Sequence, residues 1–418
     1  MFIDNSTSNM KITKISIKNY RSCVATVFEP HGSLSALIGP NGSGKTNILS
    51  AIKLLPALCF DKQLFSRRKI PESLSTCEIK TWYEVDGKEV IHTAKLGLVT
   101  NEKNQDEIIS ATENLYLYDF TGKRSRVSIP SWALYEAFQD SGSGFSRRSR
   151  ALGVFDFLKG CGVDAKDIPS LSGVVNSIAK ISYYSASQFT NPASCPISFE
   201  VEGGESRRTG ISISGHKKFL FDLYTGNRDQ SEAYKEFFDL VSINGIGLVD
   251  NIEFNEIVTS SSNYSVTTGG RVTKSERNNL LVVPGFSISG NMLSPSQLSE
   301  GTFKTLALIF YLVTDKSPIL LLEEPEVCVH HGLLSSIIEL IQIYSVNKQI
   351  FISTHSDSVL DRLEIDNVFS VRRDQNSGTI VSNIKKKMRQ VELAALKQYL
   401  ADEGSLGEYW KHGDLENV

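Results

Sequence analysis

Short apolar strands alternate with amphipathic helices at both ends of the chain. Near the start, residues 11–18 alternate isoleucine with polar residues, and residues 34–38 form an apolar run ahead of a glycine-rich turn and a helix. Near the end, buried strands are predicted at residues 318–322, 349–353 and 367–371, separated by apolar helices. Strands that alternate with helices favour a largely parallel sheet. The two ends are therefore predicted to form one α/β core.

The region between these ends has a different pattern. Hairpins are predicted around Asp86-Gly87 and around Gly122, where turn residues separate runs typical of strands. Residues 131–180 are predicted to be helical apart from a loop at 141–150, and residues 200–285 mix strands, a helix near 232–241 and glycine-rich turns. We expect an antiparallel lobe and a mixed insertion beside the parallel core.

Composition and charge narrow the class of protein. The chain has 418 residues, 40% of them hydrophobic and 22% charged, as expected for a folded protein of two or three domains. The net charge of −3 gives no overall basic field for nucleic acid, although a local basic patch remains open. Six scattered cysteines favour a reducing compartment over a zinc site. With no apolar run of signal-peptide or membrane-span length, we expect a cytoplasmic protein that does not enter a membrane.

The segment after residues 34–38 fits the phosphate-loop pattern G-x-x-x-x-G-K-[ST]. It consists of Gly39, Pro40, Asn41, Gly42, Ser43, Gly44, Lys45 and Thr46, and Asn47 follows it. Glycines let backbone N–H groups turn toward phosphate oxygens, and the following helix presents its positive end to them. Lys45 is predicted to reach the β- and γ-phosphates and Thr46 to bind Mg²⁺. The flanking strand and helix disfavour a chance match.

Two carboxylates end the apolar strand at residues 318–322. Glu323 and Glu324 stand where a parallel strand commonly delivers metal and water ligands. We predict that Glu323 holds Mg²⁺ through water and that Glu324 orients or deprotonates the attacking water. The alternative is a solvated acidic turn.

Two further segments have structural alternatives. Ser299 and Gly301 open a strongly apolar helix, where a hydroxyl and free amides bind anions, although a serine there is often only an N-cap. His355 follows the strand at residues 349–353, where a lone histidine is usually structural.

In content and order, these motifs resemble those of the ABC ATPase head. The phosphate loop, the L-S-x-G segment, the strand with two acids and the S-T-H-S segment are similar to the branch that contains RecF, the SMC-type heads and the ATPase part of OLD-type nucleases. Residues 11–22 look like the N-terminal strand and N-[FY]-R-S turn of that branch. The resemblance covers both ends of the chain and leaves the middle unassigned.

The resemblance implies an ATPase that uses ATP and Mg²⁺ and works as a head-to-tail homodimer or higher homo-oligomer. Ser299 and Gly301 of one subunit would cap the γ-phosphate held by the phosphate loop of the other. His355 would contact the γ-phosphate, and Gln188 would sense metal and water, unless it is simply an exposed loop glutamine. Because the branch commonly has aspartate where Glu323 stands, we expect slow hydrolysis.

The predicted fold is α/β: an ABC ATPase head with a P-loop parallel-sheet core, an antiparallel β lobe and a helical and mixed insertion. The predicted domains are the first part of the core at 1–60, the antiparallel lobe at 61–130, the insertion with Gln188 at 131–290, the second part of the core at 291–383, and a C-terminal helix and tail at 384–418.

The resemblance leaves the biological role open. ATPases of this build occur in bacterial anti-phage systems such as Septu, PARIS, Gabija and retron-linked effectors, where the ATPase senses or scaffolds and a nuclease cuts. Because no TOPRIM-like acidic module follows the core, we expect a separately encoded nuclease or TOPRIM-type effector. The alternatives are a RecF-like DNA clamp in repair and another ATP-driven switch. The basic clusters available for DNA are Lys123, Arg124, Arg126, Arg147, Arg148 and Arg150.

Overall fold

The structure, a computed structural model, describes most of the chain. The described residues are 10–65, 74–101, 106–118, 124–127, 129–140, 156, 158–160, 162–202, 215–266, 272–327, 329, 331–402 and 404–411. The predicted turn at Gly122 and the loop at 141–150 lie outside them. The first of two units comprises Met1–Tyr183, Lys316–Glu324 and Ile338–Val418, and the second comprises Tyr184–Asp315 and Pro325–Ile337.

Strands and helices alternate through both units. The strands are β1 (Lys11–Tyr20), β2 (Cys23–Phe28), β3 (Leu34–Ile38), β4 (Ser75–Val85), β5 (Lys88–Thr100), β6 (Asp106–Tyr118), β7 (Arg124–Val127), β8 (Ser182–Ser185), β9 (Phe199–Glu202), β10 (Asn251–Val266), β11 (Val272–Ile288), β12 (Asn291–Leu293), β13 (Ile319–Glu323), β14 (Gln349–Thr354), β15 (Val368–Asp374) and β16 (Gly378–Asn383). The helices are α1 (Lys45–Lys53), α2 (Ala57–Phe60), α3 (Ser131–Asp140), α4 (Ile168–Ala179), α5 (Gly215–Arg228), α6 (Glu232–Val241), α7 (Glu300–Thr314), α8 (His331–Ser345), α9 (Asp357–Leu360), α10 (Ile384–Lys387), α11 (Gln390–Ala401) and α12 (Leu406–Lys411).

A six-stranded sheet in the order β16-β15-β3-β14-β13-β8 forms the predicted core. Strands β13, β14, β3 and β15 run parallel, and β16 returns antiparallel to β15. Every residue of β3 and β14 is buried, as expected for parallel strands covered on both faces. The structure thus confirms the parallel core.

An antiparallel sheet in the order β2-β1-β4-β5-β6-β7 completes the strands of the first unit. Asp86 and Gly87 both have positive φ, 49° and 73°, in the two-residue turn between β4 and β5, which confirms the first predicted hairpin. Strands β1 and β2 belong to this sheet. The strand that carries the alternating isoleucines at the start of the chain therefore pairs within the antiparallel sheet and does not extend the parallel one.

Buried side chains join the two sheets of the first unit. The buried side chain of Gln349 pairs with the backbone of Ile12: its Oε1 accepts the N–H at 2.8 Å and its Nε2 donates to the carbonyl at 2.9 Å. The ring of Phe28 in β2 packs edge-on against Phe351 and Phe369, with centroids 5.7 and 5.0 Å away. The two sheets therefore share one core.

The second unit combines a long hairpin with an aromatic helical core. Strands β10 and β11 pair from Asn251 and Ser287 out to Val266 and Val272. Helix α6 coincides with the helix predicted near 232–241. Phe219, Phe237, Phe303 and Phe310 of the helices pack edge to face. Among the described residues of both units, no helix is long and apolar enough to cross a membrane.

Candidate nucleotide site

Three parallel strands end side by side in the first unit. The pairing places Glu323, the last residue of β13, opposite Ser353, and Thr354 opposite Ile38, the last residue of β3. The phosphate loop therefore starts beside β14, which ends just before His355, and the two acids lie one strand further along. In open parallel sheets, ligands bind at the carboxyl ends of the strands, which is where these residues lie.

Glycine at position 44 is required by both conformation and space. Its φ is 111°, and a Cβ there would lie 2.1 Å from Oγ1 of Thr379. The residue begins α1 without a side-chain cap on the helix amides. Lys45, only 5% exposed, donates to the carbonyls of Gly39 and Pro40 at 2.7 and 3.1 Å, so its charge is held at the loop.

The loop fits a nucleoside triphosphate. Helix amides without a side-chain cap offer donors to phosphate oxygens, and the helix dipole favours negative charge there. Two buried hydroxyls, those of Ser43 and Ser353, have no hydrogen-bond partner within the described part of the chain. Both lie near the ends of the parallel strands. Buried polar atoms without a partner are uncommon in folded proteins, and a bound ion or phosphate is one way to satisfy them.

A polar network supports the loop from behind. Thr379 of β16 donates to the carbonyl of Ser43 at 3.1 Å and shares a 2.7 Å hydrogen bond with the hydroxyl of Ser22. Asn47 donates to that same hydroxyl at 2.6 Å. The first turn of α1 is thus fixed by residues from the antiparallel sheet and from β16.

Glu324 is held in an unusual backbone conformation. Its φ is 46°, a left-handed value that costs a non-glycine residue about 1–3 kcal/mol and often marks functional positions. Its N–H donates to the carbonyl of Ser353 at 2.9 Å. Its carboxylate lies 3.5 Å from Nδ1 of His355, and both side chains are partly exposed. The geometry brings the predicted water-activating acid and the predicted phosphate sensor together.

The metal side of the site involves Thr46 and Glu323. Thr46 is partly exposed in the first turn of α1, and Glu323 accepts a hydrogen bond on Oε2 from the phenol of Tyr183 in β8. No group of three or more His, Cys, Asp or Glu side chains in the described ranges could hold a metal by itself. Thr46 and Glu323 are oxygen donors, and Mg²⁺ keeps several waters and takes its remaining oxygens from one or two such protein groups and substrate phosphates.

The signature segment lies in the second unit. Ser299 is exposed and caps α7, because its hydroxyl accepts the N–H of Thr302 at 3.1 Å. Gly301 is partly exposed in the first turn of the helix. Ser299 is therefore an N-cap, which was the structural alternative for this residue. A cap is compatible with anion binding because it uses only one of the helix amides.

Gln188 lies in the second unit as well, exposed in a short 3-10 turn at Ala186–Phe189. Contacts on both sides of the turn tie it to α7. The phenol of Tyr184 donates to the carbonyl of Lys304 at 2.9 Å, and the N–H of Asn191 reaches Glu300 Oε2 at 3.4 Å. Glu300 also pairs at 2.7 Å with the ammonium of Lys304, whose side chain is only 2% exposed.

The structure thus places the phosphate loop, Glu323, Glu324 and His355 together at the carboxyl ends of the parallel strands in the first unit. Gln188, Ser299 and Gly301 belong to the second unit. The supporting groups around these motifs were missed from the sequence: Ser22, Tyr183, Glu300, Lys304 and Thr379. Ser22 had a signal, as part of the N-Y-R-S turn, and Glu300 and Lys304 stand four positions apart on one helix, a spacing at which opposite charges pair. Tyr183 and Thr379 stand far along the chain from the groups they contact.

Two family models match the chain. The model described as "AAA ATPase domain" matches residues 10–131, and the model described as "AAA domain, putative AbiEii toxin, Type IV TA system" matches residues 285–361. The first segment contains the phosphate loop. The second contains the signature, both acids and His355.

Individual proteins match as well. The Old nuclease of Escherichia phage P2 is 23% identical over 402 residues, which cover 91% of this chain and 62% of that protein. RecF of Desulforamulus reducens is 44% identical over 43 residues, 10% of this chain and 12% of that protein. The chain thus spans less than two thirds of the length of these curated relatives. A crystal structure of an SMC head bound to the C-winged helix domain of ScpA superimposes with a TM-score of 0.45 and 16% identity, over 89% of this chain and 96% of that one.

The sequence matches at both ends of the chain identify the class: the chain is similar to ATPases that carry the AAA-type nucleotide-binding domain. Within that class, the relatives confirm the predicted resemblance to the ABC-type branch of RecF, the SMC-type heads and the OLD-type nucleases.

Proposed function

We propose that this protein binds and slowly hydrolyses ATP with Mg²⁺, at sites completed when two copies meet head to tail. One observation carries the proposal: the phosphate loop, Glu323 and the Glu324–His355 pair meet at the ends of adjacent parallel strands. The exposure of Ser299 supports a role toward a second copy, since its hydroxyl and the start of α7 are accessible.

Each residue has a defined task. Lys45 neutralises charge on the β- and γ-phosphates, and Thr46 and Glu323 would hold Mg²⁺, which stabilises the charge that develops on the transferred phosphoryl group. Glu324 orients and deprotonates the attacking water, with His355 beside it at the γ-phosphate. Ser299 and Gly301 of a second copy would cap that phosphate, and Gln188 would sense the metal and the attacking water.

The decisive variant is Glu324→Gln. Loss of the general base should lower the rate of phosphate release by about 10²–10⁴-fold and leave ATP binding intact, so ATP-bound dimers should accumulate in mass photometry. Glu339→Gln is the matched control, because Glu339 is exposed on α8. Normal turnover by Glu324→Gln would remove Glu324 from the proposal.

For the biological role, we propose an oligomeric sensor or scaffold of bacterial anti-phage defence that controls a nuclease or toxin effector on a partner polypeptide. Two findings support it. The relative that matches most of this chain, the Old nuclease, is encoded by a phage, and one matching family model is described as a putative toxin. A head that closes on ATP and reopens after slow hydrolysis has the timing that a switch requires.

Co-expression with the neighbouring genes tests this role. We expect a nuclease to co-purify in stoichiometric amount, and its DNA cleavage to change when Glu324→Gln locks the ATP state. The Lys45→Ala variant serves as the control for nucleotide dependence. An ATP-dependent dimer that copurifies with no effector, and whose turnover rises with DNA, would instead favour a RecF-like clamp.

The clamp alternative has a structural observation in its favour. Arg124 and Arg126 are exposed on β7, and the guanidinium of Arg124 lies 3.9 Å from the ring centre of Tyr116 on the neighbouring strand. On the same sheet, the ammonium groups of Lys14 and Lys80 lie 5.6 and 4.5 Å from the ring of Trp82. Basic groups beside aromatic rings are typical of nucleic-acid contact surfaces. The other basic residues predicted for DNA, Lys123 and Arg147 to Arg150, lie outside the described residues.

DNA affinity measured over a range of salt concentrations tests the alternative. If the sheet binds phosphates, the Arg124→Ala and Arg126→Ala double variant should lower affinity and reduce the salt slope by about 2, close to one per charge removed. Lys235→Ala, in the second unit, is the control. An unchanged slope would exclude this surface.

A further inference from the structure

The metal-side acid is held by a second residue that no motif identifies. Glu323 is the last residue of β13, and Tyr183 belongs to β8, its neighbour at the sheet edge. The phenol of Tyr183 donates to Oε2 of Glu323. Because the acceptor is a carboxylate, this is a charge-assisted hydrogen bond, which is shorter and stronger than one between neutral groups.

A third residue comes from the phosphate-loop helix. Lys53 ends α1, and its ammonium lies 3.9 Å from the ring centre of Tyr183. Although Lys53 is exposed as a residue, burial of its ammonium lowers the pKa, and the nearby charge of Glu323 opposes that shift. A cation on the face of a phenol ring strengthens the O–H as a donor, since it stabilises negative charge on the oxygen.

The arrangement bears on the departure from aspartate. A glutamate has one more rotatable bond than an aspartate, so its carboxylate must be fixed to present one oxygen in one place. A hydrogen bond on Oε2 fixes that torsion and leaves Oε1 available. Partners of this kind, behind the ligand itself, commonly set metal affinity.

We propose that Tyr183, supported by Lys53, is a positioning residue that holds Glu323 so that Oε1 receives a water bound to the nucleotide-associated metal. The inference rests on the proposed ATPase function and adds a residue to the metal side of that site. It accounts for how this chain uses the longer acid. The simpler alternative, a hydrogen bond that only secures the edge of the sheet, makes different predictions.

The test measures metal binding directly. Mn²⁺ is titrated by electron paramagnetic resonance into protein saturated with ATP, and ATP affinity without metal is measured in EDTA by calorimetry. Tyr183→Phe should weaken Mn²⁺ binding about tenfold or more and leave metal-free ATP affinity within about twofold. Lys53→Met, which keeps the phenol, should shift Mn²⁺ binding in the same direction by about threefold.

The adjacent tyrosine provides the matched control. Tyr184 also donates its phenol, but to the backbone carbonyl of Lys304 rather than to Glu323. Tyr184→Phe also removes a hydrogen-bonded hydroxyl from the same strand, and it should leave Mn²⁺ affinity unchanged. A similar loss in both variants would mean that the strand, not the contact with Glu323, matters, and would overturn the proposal.

A double-mutant cycle decides whether Tyr183 acts through Glu323. Glu323→Asp withdraws the carboxylate from the phenol, so adding Tyr183→Phe to it should change Mn²⁺ affinity by less than about twofold. An equal effect with and without Glu323→Asp would overturn the inference while leaving the ATPase proposal intact. Failure of the unsubstituted protein to bind ATP in either condition would overturn both.

Discussion

The edge of the first unit and the signature region of the second use similar devices for different ends. Each region begins a helix, at Gly44 in one and at Ser299 in the other. In the first, the helix start has no side-chain cap, and a charged lysine is buried beside it. In the second, Ser299 caps its own helix, and the buried lysine pairs with Glu300 inside the helix.

In the proposed function, this difference separates the region that binds the triphosphate from the surface that completes the site of a second copy. Around the phosphate loop, the strand ends supply charge, two acids and a histidine, so we expect one chain to bind the triphosphate by itself. Around Ser299, the charged groups are used internally, and what remains is an accessible hydroxyl, a glycine and helix amides. We therefore expect loss of the phosphate-loop lysine to affect ATP binding, and a change at Ser299 to affect only the steps that require assembly.

Lys45→Ala should have the largest effect. It removes the charged donor to the β- and γ-phosphates, so ATP affinity should fall about 100-fold or more, equivalent to the ~3 kcal/mol of a strong charge-assisted contact. Calorimetric titration with ATP measures the change. Lys316→Ala, an exposed lysine of the same unit, should bind normally. Retained affinity in Lys45→Ala would erase the contrast between the two regions.

Ser299→Arg should abolish hydrolysis and spare ATP binding to the single chain. The long side chain blocks the surface offered to a partner, and phosphate release should fall about 100-fold, the scale seen when one transition-state donor is removed. Mixing equal amounts of Ser299→Arg and Lys45→Ala chains should restore about a quarter of normal turnover, since random head-to-tail pairing regenerates one intact site in half of the dimers. A mixture as inactive as its components would contradict sites shared between subunits.

Glu300→Gln should reduce stability within the second unit. It replaces the carboxylate that pairs with the almost fully buried ammonium of Lys304, and the loss should be about 2 kcal/mol of unfolding free energy. Glu232→Gln, which removes a fully exposed partner of Lys235, should leave the free energy of unfolding almost unchanged. Urea unfolding followed by hydrogen exchange in α7 measures both. Equal losses would mean that the buried ion pair contributes nothing specific.

The smallest expected effect is a pH dependence confined to the first unit. His92 and Glu113 lie buried on β5 and β6 with Nε2 and Oε1 3.8 Å apart. Burial lowers the pKa of His92 from 6.5 to about 4 and raises that of Glu113 from 4.5 to about 7. The nearby Cys59 stays neutral because burial raises its thiol pKa, and the backbone N–H of Ser131 donates to Glu113.

The two shifts oppose each other. As the pH falls from about 6.5 to 4, the unfolded chain protonates His92 before the folded chain does, so the free energy of unfolding decreases. As the pH rises from about 5 to 7, the unfolded chain ionises Glu113 before the folded chain does, so the free energy of unfolding again decreases. Between about pH 4.5 and 6.5 the two slopes are opposite and cancel, so the free energy of unfolding should change little with pH there. His92→Phe should leave only the decrease with rising pH that Glu113 causes, and Glu113→Gln should leave only the decrease with falling pH that His92 causes. Each slope should reach up to about 1.4 kcal/mol per pH unit, while hydrogen-exchange protection in α7 stays constant. Parallel slopes in the two variants would contradict the assignment.

The sequence by itself determined the parallel core and the nucleotide motifs. Those features are local: β3 and β14 are short apolar runs, the glycines of the phosphate loop have conformational requirements that few other residues meet, and the acids directly end a strand. The Asp86-Gly87 turn was predictable for the same reason, because its backbone conformation selects the residue types.

Only the tertiary structure decided which distant residues support these motifs. Gln349 joins the two sheets of the first unit through the backbone of Ile12, and Thr379 supports a loop more than 300 positions earlier in the chain. Tyr183 meets Glu323 because β8 lies beside β13, and the placement of β1 in the antiparallel sheet follows from pairing with β4. Such contacts arise from sheet order and packing between segments far apart in sequence. No local pattern of residues encodes them, since the same hydroxyl or amide side chain on the surface would look identical in the sequence.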